Sequence, residues 1–129
     1  MSLGPRDLAL RIGELADAKK GEEIVTLDMR ELVSYTDFLV VCTARNERQA
    51  AAITDEVRIR LKRDEKLLPG SVEGEGAAGW VVLDYLDCVL HVFTPEARER
   101  YRLEELWREA PRLELDPAGA TGPPHAASA

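Results

Sequence analysis

Four carboxylates, Asp28, Asp37, Asp84 and Asp87, fall at the ends of extended apolar runs, where acidic side chains can hold paired magnesium ions for phosphoryl transfer. That chemistry also needs a basic or Gly/Ser cradle for the phosphates, and none accompanies them. Turn and cap hydrogen bonding is the simpler use of these residues. Glu73-Gly74-Glu75-Gly76 invites comparison with a nucleotide loop. It has no Lys or Ser/Thr at P-loop spacing, its glutamates would face the phosphates, and it leads into a strand, whereas anion sites open a helix. A flexible connection is the better reading. Cys42 and Cys88 sit in apolar runs without ligand-like neighbours and read as buried, reduced thiols. A disulfide between them would need adjoining strands and an oxidising compartment. His91 follows Cys88 closely, but strand positions 88 and 91 point to opposite faces, so this thiol and imidazole do not form a nucleophilic pair. A pairing of His91 with Cys42 stays open at this point. No cofactor and no metal is called for. Arg58, Arg60, Lys62, Arg63 and Lys66 cluster together, but Asp55, Glu56, Asp64 and Glu65 interleave with them, which is the pattern of a solvated helix face more than of an RNA contact.

The elements that would position these residues follow from periodicity. Pro5 to Lys20 reads as a helix: Pro5 suits the first turn, Asp7 complements the helix dipole, and Lys19-Lys20-Gly21 supply a cationic last turn and a C-cap. Leu8, Ile12, Leu15 and Ala16 form its buried stripe. Glu23 to Met29 alternates as a strand, and Phe38-Leu39-Val40-Val41-Cys42 is apolar on both faces, as a central strand should be. Asn46 caps a long helix to Lys66, with Ala50, Ile53, Val57 and Leu61 inward. Leu68 to Gly79 reads as a Gly-rich loop. Trp80 to Tyr85 and Asp87 to Thr94 read as a hairpin. Thr94 and Pro95 open a short helix running through Tyr101 and a second turn to Trp107. Arg112 to Leu115 alternates weakly as an edge strand. From Asp116 to Ala129 the composition is that of a disordered tail, which leaves 1–115 as one domain. This order predicts an α/β fold with helices packed on a mixed β-sheet. The strand from Phe38, the Asn46 helix and the strand from Trp80 can form a parallel crossover.

The chain of 129 residues is long enough for one core, with 45% hydrophobic and 32% charged residues and a net charge of -7. An acidic chain is repelled by phosphate backbones, which disfavours broad or sequence-specific nucleic-acid binding and leaves a cationic protein partner open. No apolar run approaches the ~20 residues needed to span a bilayer, and no signal-peptide core is present, so a cytoplasmic protein without membrane association is expected.

The hairpin carries most of the functional information. With Tyr85-Leu86 as a two-residue loop, Leu83 opposes Cys88 and Val81 opposes Leu90, an aliphatic face suited to lie under helices. The other face pairs Trp80 with His91 and Val82 with Val89, adds Phe93, and sets Asp84 against Asp87. Such a face is either covered by the C-terminal helix with Trp107, or left open as a docking surface. In the second case Trp80 is the anchor, the acids select a basic partner, and Tyr85 and Leu86 extend the contact from the loop tip.

The same residues carry a resemblance. Leu83-Asp84-Tyr85, Asp87, His91, Phe93 and Tyr101-x-Leu103-Glu104-x-Leu106-Trp107 resemble the ribosomal silencing factor family (RsfS, or Iojap). Ser34-Tyr35-Thr36-Asp37-Phe38, Arg48-Gln49 and Glu73-Gly74 ahead of Trp80 match as well, so the similarity runs from about Leu8 to Leu115. It implies a non-enzymatic translational repressor that binds ribosomal large-subunit protein fourteen and blocks subunit joining when nutrients are scarce. It also implies a link to large-subunit assembly and a nucleotidyltransferase-like topology without the catalytic motif. The partner surface it implies comprises Trp80, Asp84, Tyr85, Leu86 and Asp87, to which the pairing of the hairpin adds His91. Leu86 stands where the family usually has Gly, so the turn must adopt a less favourable geometry or another type. Ala44 and Arg100 also depart from the pattern, away from the patch. A metal-dependent nucleotidyltransferase and a homodimeric scaffold using the same patch are the competing readings.

Overall fold

The structure, a computed structural model, describes residues 3–74 and 79–113. The expected tail from Asp116 onward and the Glu75-Gly76 part of the Gly-rich segment lie outside the described residues.

Helix α1 spans Pro5–Ala18 and buries Leu8, Ala9, Ile12, Leu15 and Ala16. Its end departs slightly from the expected cap. Lys20, not Gly21, takes the left-handed conformation at φ 70°, and the Gly21 and Lys20 amides donate to the Ala16 and Asp17 carbonyls at 2.9 Å each, the crossed bonding that closes a helix C-terminus. Glycine still suits position 21, because a Cβ there would stand 3.0 Å from the Ala16 carbonyl oxygen and force a small shift. Strand β1 (Glu22–Asp28) leads to β2 (Phe38–Thr43), which is buried along its whole length. Helix α2 (Glu47–Glu65) is capped by Asn46, whose Oδ1 accepts the Gln49 amide at 2.9 Å. Gln49 Nε2 in turn donates to the Lys19 and Lys20 carbonyls at 3.1 and 2.9 Å, tying the start of α2 to the end of α1.

Strands β3 (Ser71–Glu73), β4 (Trp80–Asp84) and β5 (Cys88–Phe93) follow, then helices α3 (Pro95–Tyr101) and α4 (Leu103–Leu106) and a short strand β6 (Arg112–Leu113). Among the described residues six strands lie in the order β3-β4-β5-β2-β1-β6. Two expectations are corrected here. Part of the presumed loop is a strand, since Ser71–Glu73 pairs antiparallel with β4. The parallel neighbour of β2 is β5, not the strand from Trp80, which runs antiparallel to β5. Burial explains the second correction: β5 is almost wholly buried and belongs at the centre, while β4 alternates half-buried with buried.

The sheet divides the molecule into unequal layers. On one face α1 and α2 pack over Phe38, Val40, Cys42, Leu83, Cys88, Leu90 and Val92, forming the main core. The other face carries Leu27, Leu39 and Val89 in one cluster and Val41 and Phe93 in another, and its cover comes from Ala97, Leu103, Trp107 and Ala110 of the α3–α4 region. Arg98 anchors that cover. It is 8% exposed and donates to Thr43 Oγ1 at 2.8 Å and to Glu104 Oε2 at 3.0 and 2.8 Å. Arg102 interrupts the helical path at φ 43°, so the chain turns between α3 and α4.

Candidate functional site: the β4–β5 hairpin

Alternation along β4 and β5 gives the hairpin two chemically different faces, and the structure keeps them as the sequence suggests. Its register differs. Trp80 pairs with Phe93, Val82 with His91 and Asp84 with Val89, a slip of two residues from the expected pairing. The turn therefore centres on Leu86 and Asp87, with the Tyr85 amide donating to the Cys88 carbonyl at 2.9 Å and the Asp87 amide to the Tyr85 carbonyl at 2.8 Å. Leu86 takes φ 71°, a conformation that normally selects glycine. Asp84 Oδ1 steadies the turn by accepting the Leu86 amide at 2.8 Å. Asp84 and Asp87 consequently do not oppose each other, and the expected repulsion between them disappears. The Asp87 carbonyl also accepts the amides of Asp37 and Phe38 at 3.2 and 3.1 Å, locking the turn to the start of β2.

The predicted site residues separate into distinct environments. Leu86 is 70% exposed and Asp87 is exposed at the tip. Trp80, Val82, Asp84 and His91 are half-buried on one face. Tyr85 is the exception. It was expected at the loop tip but is 4% exposed, turned into the α1–α2 core. Burial raises its hydroxyl to about 12, with the Arg58 charge opposing, and among the described residues its Oη has no hydrogen-bond partner. Tyr85 shares strand parity with Val81 and Leu83, and that parity, not proximity to the turn, decides its direction.

Trp80 is neither sealed in nor free. Its ring lies 4.4 Å from Tyr101, 5.0 Å from Phe93 and 5.9 Å from His91, centroid to centroid. Its Nε1–H donates to His91 Nδ1 at 3.0 Å. Burial pushes the imidazole down to about 4, opposed by the charge of Asp84. Sequence reasoning missed the role of Tyr101 in this cluster. The signal available was its place in the Tyr101-x-Leu103 pattern facing the sheet, and Tyr101 remains 43% exposed at the margin. The C-terminal elements thus cover part of the face and leave a strip running from Tyr101 and Trp80 past His91 and Val82 to Leu86.

The remaining candidates fall elsewhere. Cys42 is buried on the α1–α2 face, opposite the face of His91, so the open pairing closes negatively. Burial raises the Cys42 thiol to about 12 and raises Cys88 as well. Their strands do adjoin, but Cys88 pairs with Phe38 and Cys42 with Val92, an offset of about 13 Å that forbids a disulfide. Asp28 is held below the usual carboxylate range by hydrogen bonds from Arg30, which it pairs at 2.7 Å. On α2, Arg60 pairs with Glu56 at 3.0 Å and Arg63 with Asp64 at 2.9 Å, as a solvated helix face does.

Residues 3–129 match the family described as "Ribosomal silencing factor during starvation". This chain belongs to the ribosomal silencing factor family. Curated members include the ribosomal silencing factor of Halalkalibacterium halodurans, 36% identical over 100 residues that cover 78% of this chain and 85% of that protein. The one from Bacillus subtilis is 34% identical over 100 residues, covering 78% and 84%. The chloroplastic protein Iojap of Zea mays is 33% identical over 83% of this chain, which matches 46% of that longer protein. A crystal structure of a Chromobacterium violaceum protein superposes with a TM-score of 0.78 at 28% identity, covering 93% of this chain and 95% of that one. One from Bacillus halodurans gives 0.69 at 34% identity, covering 85% and 96%. Proteins of this family are described as silencing the ribosome during starvation.

Proposed function

We propose that this chain docks on the large ribosomal subunit through ribosomal large-subunit protein fourteen and that its bulk then obstructs the small subunit. Protein synthesis falls as a result, under nutrient limitation and in the cytoplasm, with a secondary role in large-subunit assembly. One observation carries the reading: the second face of the sheet leaves a half-open strip of Trp80, Val82 and His91 that ends at the exposed Leu86 and Asp87. Apolar side chains at the middle of such a strip exclude water, and carboxylates at its border favour a cationic partner.

The test is co-sedimentation of purified protein with isolated large and small subunits. Leu86→Glu removes an exposed apolar contact without touching the core and should weaken pelleting with large subunits about tenfold or more, as loss of an interface anchor does. Trp80→Ala should weaken it too, but it also strips the support of Tyr101 and Phe93. Equal pelleting with both subunits, or unchanged binding by Leu86→Glu, would overturn the proposal.

A further inference from the structure

Trp80 and His91 form a unit whose chemistry differs from that of an aromatic anchor. An indole N–H can only donate, so His91 Nδ1, 3.0 Å from Trp80 Nε1, must be the bare nitrogen. The ring's remaining proton then belongs on Nε2. Among the described residues no acceptor engages that N–H. His91 is half-buried on the same face as Val82, its cross-strand partner. The indole, meanwhile, has spent its single donor on His91 and lies tilted against both Phe93 and Tyr101. Little of it is left to enter a pocket on a partner.

We infer that Trp80 is a positioning residue, and that the group it positions, the His91 Nε2–H, is a recognition donor for a backbone carbonyl oxygen of the docked protein. A carbonyl is favoured over a carboxylate by charge: Asp84 lies close enough to act on the imidazole, Asp87 is exposed at the nearby turn, and both repel an anionic acceptor. A cationic group offers no acceptor and cannot use this donor. The inference rests on the docking reading and deepens it, since it names the atom that reads the partner's main chain.

Two measurements separate the inference from that reading. The first uses free protein labelled with nitrogen-15 in its histidines. Imidazole nitrogen shifts should report the Nε2–H tautomer for His91 at neutral pH, and Trp80→Phe, which keeps an aromatic ring but loses the donor, should restore a mixture. A wild-type protein with Nδ1 protonated or with mixed tautomers would overturn the inference, whatever the ribosome does. The second compares His91→Phe with His91→Gln in large-subunit binding. Phe keeps an aromatic body without a donor and strands the partner's carbonyl, so affinity should fall about tenfold, the usual range for one buried unpaired group. Gln places an amide N–H near the position of Nε2 and should recover most of that loss. Equal binding by wild type and His91→Phe, or equal weakening by Phe and Gln, would overturn the recognition role while leaving docking intact. Failure of the wild type to bind large subunits would overturn docking itself, and the recognition role with it. Thermal unfolding of each variant confirms that it is folded before either comparison is read.

Discussion

Leu86 shows how much one backbone conformation can set. A branched side chain at φ 71° costs roughly 1–2 kcal/mol relative to glycine, and the hydrogen bond from its amide to Asp84 Oδ1 helps hold it there. Leu86→Gly should raise stability by about 0.5–1 kcal/mol once the greater chain entropy of glycine is subtracted. Chemical denaturation checks this. The same change should weaken large-subunit binding, because the exposed apolar tip is lost. His91 makes a second prediction at this scale. Unfolded it titrates near 6.5, folded at about 4. Between these values the unfolded chain takes up a proton that the folded chain refuses, so each step down in pH favours unfolding. Stability should fall by roughly 2–3 kcal/mol between about pH 6.5 and pH 4 beyond what the carboxylates contribute, and His91→Phe should flatten that part of the curve, measured by urea unfolding at stepped pH. Residue directions were largely legible in the sequence, since parity alone puts Trp80, Val82 and His91 on one face. Tyr85 could have been placed by the same rule, but nearness to the turn suggested exposure.

Between elements, the decisive join is the one that holds α3 and α4 over the sheet. Burial works against the Glu104 charge, but hydrogen bonds from Arg98 prevail and hold its carboxyl below the usual range. Among the described residues, Glu104→Ala leaves the buried guanidinium of Arg98 with Thr43 as its one side-chain hydrogen-bond partner. It should cost about 2–3 kcal/mol, somewhat less than a fully buried pair because Glu104 is partly solvated. Calorimetry measures the cost, and a red shift in the fluorescence of Trp80 and Trp107 should report the loosened cover. Sequence patterns located every helix but not the full sheet. Ser71–Glu73 is too short to show a period, and a slip of two residues in the hairpin leaves the pattern of faces unchanged, so alternation cannot detect it. The choice of β5 over β4 as the parallel neighbour of β2 was not legible in the sequence. Apolar content does not separate the candidates, because β4 is apolar at four of its five positions as β2 and β5 are at five of six. Only burial, nearly complete on β2 and β5 and alternating on β4, tells them apart.

At the scale of the whole molecule, the two thiols are sequestered in the α1–α2 layer, where burial raises both toward the neutral form. Thiol reagents should modify Cys42 and Cys88 only as fast as the chain unfolds, and dithiothreitol should not change the melting temperature. Rapid labelling of native protein would contradict this packing.

The unequal dressing of the two sheet faces has a consequence for how such a molecule can diverge. The larger core lies under α1 and α2, while the strip proposed to meet a partner lies on the reverse, beside a short segment pinned by Arg98. Mutations at the exposed end of that strip, Leu86 and Asp87, can retune what is gripped at little thermodynamic risk, so descendants of one scaffold could change their target while inheriting its core intact.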